Sequence, residues 1–210
     1  MLPFWETGEV RLGRLDAPLI NFSGNGKRGL YVKSLLSVGG VVDRVSDLFG
    51  YIAKWLVLFA CLVSAGNAVI RYLFSYSSNA WLEIQWWMFA GIVLLGASQT
   101  LRLNEHVRVD IIYSTISDRA RLWIDILGII FFLLPVAFYL SYLTVPFFIT
   151  SFRQQEFSNN AGGLILWPVK AVLPLGFILL FFQGAAELIK RIAALTGLVR
   201  VNTTYEAPLQ

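Results

Sequence analysis

Apolar residues dominate four stretches of this chain, at about 48–70, 81–103, 122–150 and 167–189, with short polar segments between them. Each is long enough to cross a bilayer as a helix, which takes about 20 apolar residues. The pattern therefore predicts an all-α membrane protein with four transmembrane helices. The expected organisation is a polar amino-terminal extension over 1–45, a transmembrane domain over 46–195 and a short tail over 196–210. Residues 1–30, with Pro18 and the turn-forming run Ser23-Gly24-Asn25-Gly26, carry no regular pattern.

The ends of the stretches agree with this reading. Lys54 is placed to snorkel from the first. Trp81, Trp86 and Trp87 form an interfacial belt at the start of the second. Glu83 falls in its first turn and Arg102 in its last, the signs a helix dipole favours. Ser117 is the expected N-cap of the third, followed by Asp118. That third stretch would be roughly 40 Å long against a hydrocarbon core of ~30 Å, so it must tilt, bend or project, with Pro135 and Pro146 the expected bend sites. Trp167 and Pro168 open the fourth, Lys190 and Arg191 close it, and Gly197 is a candidate C-cap.

Composition sharpens the picture. The chain is 57% hydrophobic and only 14% charged, below the quarter usual for soluble domains. The net charge of +4 does not point to nucleic acid, because the basic residues flank spans and form no stripe interleaved with aromatics. Cys61 is the only cysteine and His106 the only histidine, which excludes an intrachain disulfide, a bis-histidine haem and multi-cysteine metal sites. No cofactor is expected. Lys and Arg gather in the amino-terminal segment (Arg11, Arg14, Lys27, Arg28, Lys33, Arg44), the middle connection (Arg102, Arg108, Arg119, Arg121) and the tail (Lys190, Arg191, Arg200). The other two connections hold only Arg71 and Arg153. That asymmetry predicts that both termini are cytoplasmic.

The middle connection is the most informative stretch. Val109, Ile112, Tyr113 and Ile116 share one face, which predicts a short amphipathic helix at the membrane interface. An ordinary helical hairpin loop is the plainer alternative. Just before it, Asn104, Glu105, His106, Arg108 and Asp110 crowd together. A catalytic reading would make His106 a general base oriented by Glu105 or Asp110. It would need an enclosed site, and the chain offers no accompanying nucleophile or ligand set. A hydrogen-bonded knot that locks the turn is the preferred reading.

Within the spans, Glu83, Trp87, Gly91, Leu94, Ser98 and Arg102 fall on one stripe. It is expected to be a packing face, with Ser98 bonding across the contact to this chain or another. Ala53, Ala60, Ser64 and Asn67 make a similar face. Asp125 is the acid best placed to be buried, and a pair with Arg121 or Arg102 is expected rather than an ion path. Glu187 and Arg191 are expected to pair at i, i+4, with Gln183 one turn away. No series of acids crosses the membrane, and no two spans break at mid-depth as solute sites require.

Four segments, in order, resemble the DctQ-like small membrane subunit of tripartite ATP-independent periplasmic (TRAP) transporters. They are Glu83-Ile84-Gln85 with Leu94-Leu95-Gly96-Ala97; Leu101 to Asp110, with its Asn-Glu-His-Val-Arg-Val-Asp run; Glu156-Phe157-Ser158; and Trp167-Pro168-Val169-Lys170 with Pro174-Leu175-Gly176-Phe177. The resemblance covers about residues 45–195. Asn160-Ala161-Gly162-Gly163-Leu164 looks like the subgroup associated with mannitol, chloroaromatic and oxo or hydroxy acid substrates. The resemblance implies a multi-pass protein of the bacterial inner membrane. Its implied partners are a large multi-span permease, a periplasmic substrate-binding protein and membrane lipids, in sodium-coupled uptake of an organic acid. Alternatives are a small self-assembling exporter and a membrane enzyme built on the Glu105, His106 and Asp110 cluster.

Overall fold

A computed structural model describes residues 27–76, 78–104 and 116–196, with backbone alone for residues 27–36 and 118. The described residues form helix α1 (Lys27–Phe74), α2 (Asn79–Leu103), α3 (Asp118–Gly128), a π-turn (Ile129–Leu133), α4 (Leu134–Gln154) and α5 (Trp167–Leu195). Four spans result, Ser37–Phe74, Asn79–Leu103, Arg119–Gln154 and Trp167–Leu195, each long and apolar enough to cross a membrane. The predicted interfacial helix, and with it Glu105, His106, Arg108 and Asp110, lies outside the described residues, as do residues 1–26, Gly197 and the tail.

Two boundaries differ from the sequence expectation. Helix α1 does not begin near Leu48; it runs unbroken from Lys27 through Gly39, Gly40 and the polar residues Asp43, Ser46 and Asp47. Those residues dilute the apolar signal, yet they belong to a buried face and keep the segment helical. At 1.5 Å per residue α1 is about 70 Å long, so part of it must tilt or project beyond a ~30 Å core. The second difference lies in the third span. Pro135 has no N–H to give, and just before it the helix widens into the π-turn, where the Leu134 N–H reaches back to the Ile129 carbonyl. Pro146 is carried inside α4 without interruption.

Helix ends follow local chemistry. The Ser78 side chain caps α2 by accepting from the Ala80 N–H. Asn104 closes α2, and Gln155 closes α4, each in the left-handed region. Ser117 holds the N-cap position of α3, but its hydroxyl makes no capping bond; its carbonyl accepts from the Arg121 N–H at 3.0 Å.

Helix α5 is the axis of the bundle and packs against every other segment, α1 and α2 on one side and α3, the π-turn and α4 on the other. Glycines set the close approaches. A Cβ on Gly176 would stand 2.7 Å from Leu94 Cβ and 2.9 Å from the Leu94 carbonyl, so the α2–α5 contact is close to backbone on backbone. A Cβ on Gly184 would meet Leu133 at 2.7 Å. The largest fully buried side chains among the described residues are polar, namely Gln183, Ser46, Ser98 and Ser151, while Trp55, Phe59, Trp86, Phe131 and Phe132 are exposed on the outside. That arrangement suits a lipid environment, which tolerates apolar residues outside and favours pairing of polar groups within the bundle.

Candidate functional site

The polar side chains gather at the two ends of the bundle. At the end where α5 finishes, a buried network ties α1, α3 and α5 together. Residues 43, 46 and 47 project from one side of α1; residues 183, 187, 190 and 191 recur at helical spacing on α5. Lys190 Nζ donates to both oxygens of Asp43, at 2.7 and 2.8 Å, and to Glu187 at 2.9 Å. Gln183 Nε2 donates to Asp43 at 2.9 Å, and its own oxygen accepts from Ser46 Oγ at 2.7 Å. Arg191 donates to Glu187 at 2.6 Å and to Asp125 of α3 at 3.1 Å. Beside this network, Arg102 lies 2.5 Å from Asp47, which joins α2 to α1. Gln99 also reaches toward Asp47, across Gly50, where a Cβ would stand 2.1 Å from the Gln99 oxygen.

This network corrects several expectations. Asp125 is brought to Arg191 on α5, while Arg102, one of its expected partners, turns to Asp47. The expected Glu187–Arg191 pair forms, and its side chains are buried in the bundle. Asp43, Ser46 and Asp47 are the network members that the sequence reading did not single out, and Lys190 was read only as closing the fourth span. The spacing of 43, 46, 47 and 50 on one helical side, matched against 183, 187, 190 and 191, is the signal that could have found them.

At the opposite end, the segment between α4 and α5 folds back on itself. Phe157 and Ile165 form an antiparallel bridge, Ser158 N–H bonds the Leu164 carbonyl at 2.9 Å, and Leu166 N–H bonds the Glu156 carbonyl at 2.8 Å. Gly162 takes φ +70°, and Gly163 turns where a Cβ would stand 2.5 Å from Ser158. Glu83 of α2 clamps this hairpin. Its carboxylate accepts from Ser158 Oγ, from Asn160 Nδ2 at 2.8 Å and from Leu164 N–H at 2.9 Å. Glu83 thus lies one turn inside α2 and serves the hairpin; it is not in the first turn. Asn79 adds a bond to the Ala161 carbonyl at 3.1 Å. Across the hairpin base, Lys170 pairs with Glu156 and lies over the Phe147 ring, 4.2 Å from its centroid, while Trp167 meets Phe152 edge to face. The Lys170 hydrogen bond holds the Glu156 carboxyl below the usual carboxylate range.

The α2 stripe is a packing face within this chain. Gly91 is buried where a Cβ would approach Leu56 of α1, Trp87 is half-buried, and Ser98 is fully buried. Ser98 does not bond across the contact as expected; its hydroxyl donates back to the Leu95 carbonyl. On α1, Ala53 is buried against α2, whereas Ser64 faces outward.

Chemically, each carboxylate in both constellations has a cation or hydrogen-bond donor beside it, so the groups act as fasteners between helices. No group of three or more metal-ligating side chains occurs among the described residues. Neither a curated protein nor a solved structure gives a significant match to the chain. The family model of the DctQ component of tripartite ATP-independent periplasmic transporters matches residues 60–194, which include the hairpin clamp and all four α5 residues of the network. The match covers more than half of the sequence, and the family is a transporter component and not an enzyme, so this multi-pass chain belongs to the DctQ family.

Proposed function

We propose that the chain is the small permease subunit of a TRAP transporter and acts as a scaffold. It braces a large multi-span permease, which performs sodium-coupled uptake of an organic acid delivered by a periplasmic binding protein. The observation that carries this reading is the disposition of polar groups. They are spent on holding the four spans to one another, and the outer surface is apolar along the bundle. A bundle of that kind suits bracing a neighbour in the bilayer better than carrying a solute.

The Lys and Arg distribution supports an orientation with both termini and the connection around residues 104–117 in the cytoplasm, in the bacterial inner membrane. The hairpin at 155–166 and the short connection between α1 and α2 then face the periplasm, where a binding protein could reach them. In this orientation Glu83 and Lys170 shape the surface offered to that protein. The Asp43 network stiffens the cytoplasmic half.

The test is to express the chain together with its neighbouring genes, purify it in mild detergent by its own tag, and identify what accompanies it. A stoichiometric permease of many spans is the expected companion. Recovery of the chain alone, or as a homo-oligomer that transports in liposomes unaided, would overturn the scaffold reading.

A further inference from the structure

Two tyrosines of α4 stand where lipid is least able to serve them. Tyr139 and Tyr142 are 60% and 69% exposed on the outer surface of the bundle. The third span carries no charge between Asp125 and Arg153, and Tyr139 lies fourteen residues from each. At 1.5 Å per residue it is about 21 Å from either charge, at the middle of the hydrocarbon. Tyr142 lies about one turn nearer Arg153. Tyrosine in membranes is enriched at headgroup level, where its hydroxyl meets water. From a depth of about 15 Å a phenol is too short to reach that level.

The chain itself does not satisfy these hydroxyls. Among the described residues neither has a hydrogen-bond partner. The shorter hydroxyls beside them do: Ser141 donates back to the Ala137 carbonyl and Thr144 to the Leu140 carbonyl, each at 2.7 Å. A phenol hydroxyl is held too far out by its ring to do the same. A third polar atom joins the two. Pro146, inside α4, has no N–H, so the Tyr142 carbonyl four residues before it lacks its helical donor. Pro135, Tyr139, Tyr142 and Pro146 recur at helical spacing on the side opposite buried Ala137, and all four are exposed. Polar groups left unpaired there are costly, because hydrocarbon offers neither donor nor acceptor.

That chemistry chooses the occupant. An acyl chain cannot hydrogen-bond, so the face calls for a protein segment, and at mid-bilayer depth that segment is a transmembrane helix. It must bring a donor for the carbonyl and hydrogen-bonding groups for the phenols, which Ser, Thr, Asn or Gln side chains supply. It must also bring small residues, since the Pro-Tyr-Tyr-Pro stripe has none to let a neighbour's backbone come close. A second copy of the same stripe would set ring against ring and hold the backbones apart. We infer that the Tyr139–Tyr142 face of α4 docks a transmembrane helix of the large permease, one that carries small and hydrogen-bonding residues at mid-bilayer depth. This inference rests on the scaffold reading and assigns the side of the bundle that does the bracing.

Site-specific photocrosslinking tests it, with the full chain co-expressed with its neighbouring genes and reconstituted in native lipid. A benzophenone side chain replaces Tyr139 or Tyr142 and, as a control on another outer face, Phe59 of α1. Crosslinks from both α4 positions should map to one permease helix and exceed those from Phe59 several-fold. Tyr139→Phe and Tyr142→Phe then remove the hydroxyls and keep the rings. The unfolding temperature of the chain alone should not fall, since no bond within it is lost. Affinity for the permease, measured by titrating the purified subunits, should drop about tenfold in the double variant, roughly threefold per membrane hydrogen bond. Permease recovered with α4 crosslinks only to lipid or to a second copy would overturn this inference and leave the scaffold reading standing. So would a double variant that binds the permease as tightly as the parent. Recovery of the chain without any permease would overturn both.

Discussion

Lys190 of α5 lies 2.7 Å from Asp43 of α1, and each side chain keeps only 11% of its surface exposed. Two residues at opposite ends of the sequence thereby close the bundle, and they do so with charge where a soluble protein would use hydrocarbon. In lipid the apolar side chains gain little from one another, so helix association draws on packing and polar contacts.

Breaking that pair leaves a buried ammonium short of its main anion. Asp43→Asn should destabilise the bundle by about 3 kcal/mol, the lower end for uncoupling a buried pair, because Glu187 still receives one bond from Lys190. Thermal unfolding in detergent measures it. The double variant Asp43→Leu with Lys190→Leu should lose much less than the two single changes together. Strict additivity would show that the contact contributes no coupling.

Glu83→Gln should loosen the hairpin without unfolding the bundle. A neutral amide cannot accept with both oxygens from Ser158, Asn160 and Leu164. Hydrogen–deuterium exchange should rise over residues 157–165 and stay unchanged at α2–α5 contacts. Uniform protection in the variant would show that the hairpin holds itself.

The same substitution should have opposite signs at two glycines. Gly176→Ala puts a methyl group 2.9 Å from the Leu94 carbonyl, and forcing α5 from α2 should cost about 1–3 kcal/mol. Gly40→Ala, on α1 with nothing within 4 Å, should stabilise by up to about 1 kcal/mol through helix propensity. Unfolding temperatures of the two variants against the parent decide it. Equal shifts would mean that the α2–α5 approach is looser than the glycine geometry requires.

How much of this was readable in the chain depends on what kind of information each feature carries. The four spans were readable because lipid forces every span to satisfy its own backbone, which leaves a long apolar run. The start of α1 was not, because Asp43, Ser46 and Asp47 look like an exposed segment until their partners on α5 and α2 are known. Spacing marks a face and says nothing of what meets it. Thus Asp125 was recognised as a buried acid and its partner Arg191, on another helix, was not foreseen. Pro135 pointed to the right place for an irregularity, but the form it took, a π-turn with Leu133 seated on Gly184, depends on packing across helices. Glu83 was singled out for the helix dipole, and the hairpin it clamps is held by residues far along the chain.

The Glu156–Lys170 pair makes the hairpin end sensitive to acid. Lys170 lowers the Glu156 carboxyl from its ordinary value of 4.5, so the unfolded segment binds the proton more tightly than the folded one. Stability from this group is therefore fully present above about pH 4.5 and is lost as pH falls through the lower, folded value. Glu156→Gln removes the charge at every pH. Hydrogen exchange at residues 156–166 should therefore be faster in Glu156→Gln than in the parent at pH 7, and the two should converge as the parent is acidified below pH 4.5. Exchange is compared at matched intrinsic rates, so the pH dependence of the chemistry itself drops out. A difference that persists undiminished in acid would mean that the Gln variant disturbs the hairpin by shape, and that the charge of Glu156 is not what Lys170 reads.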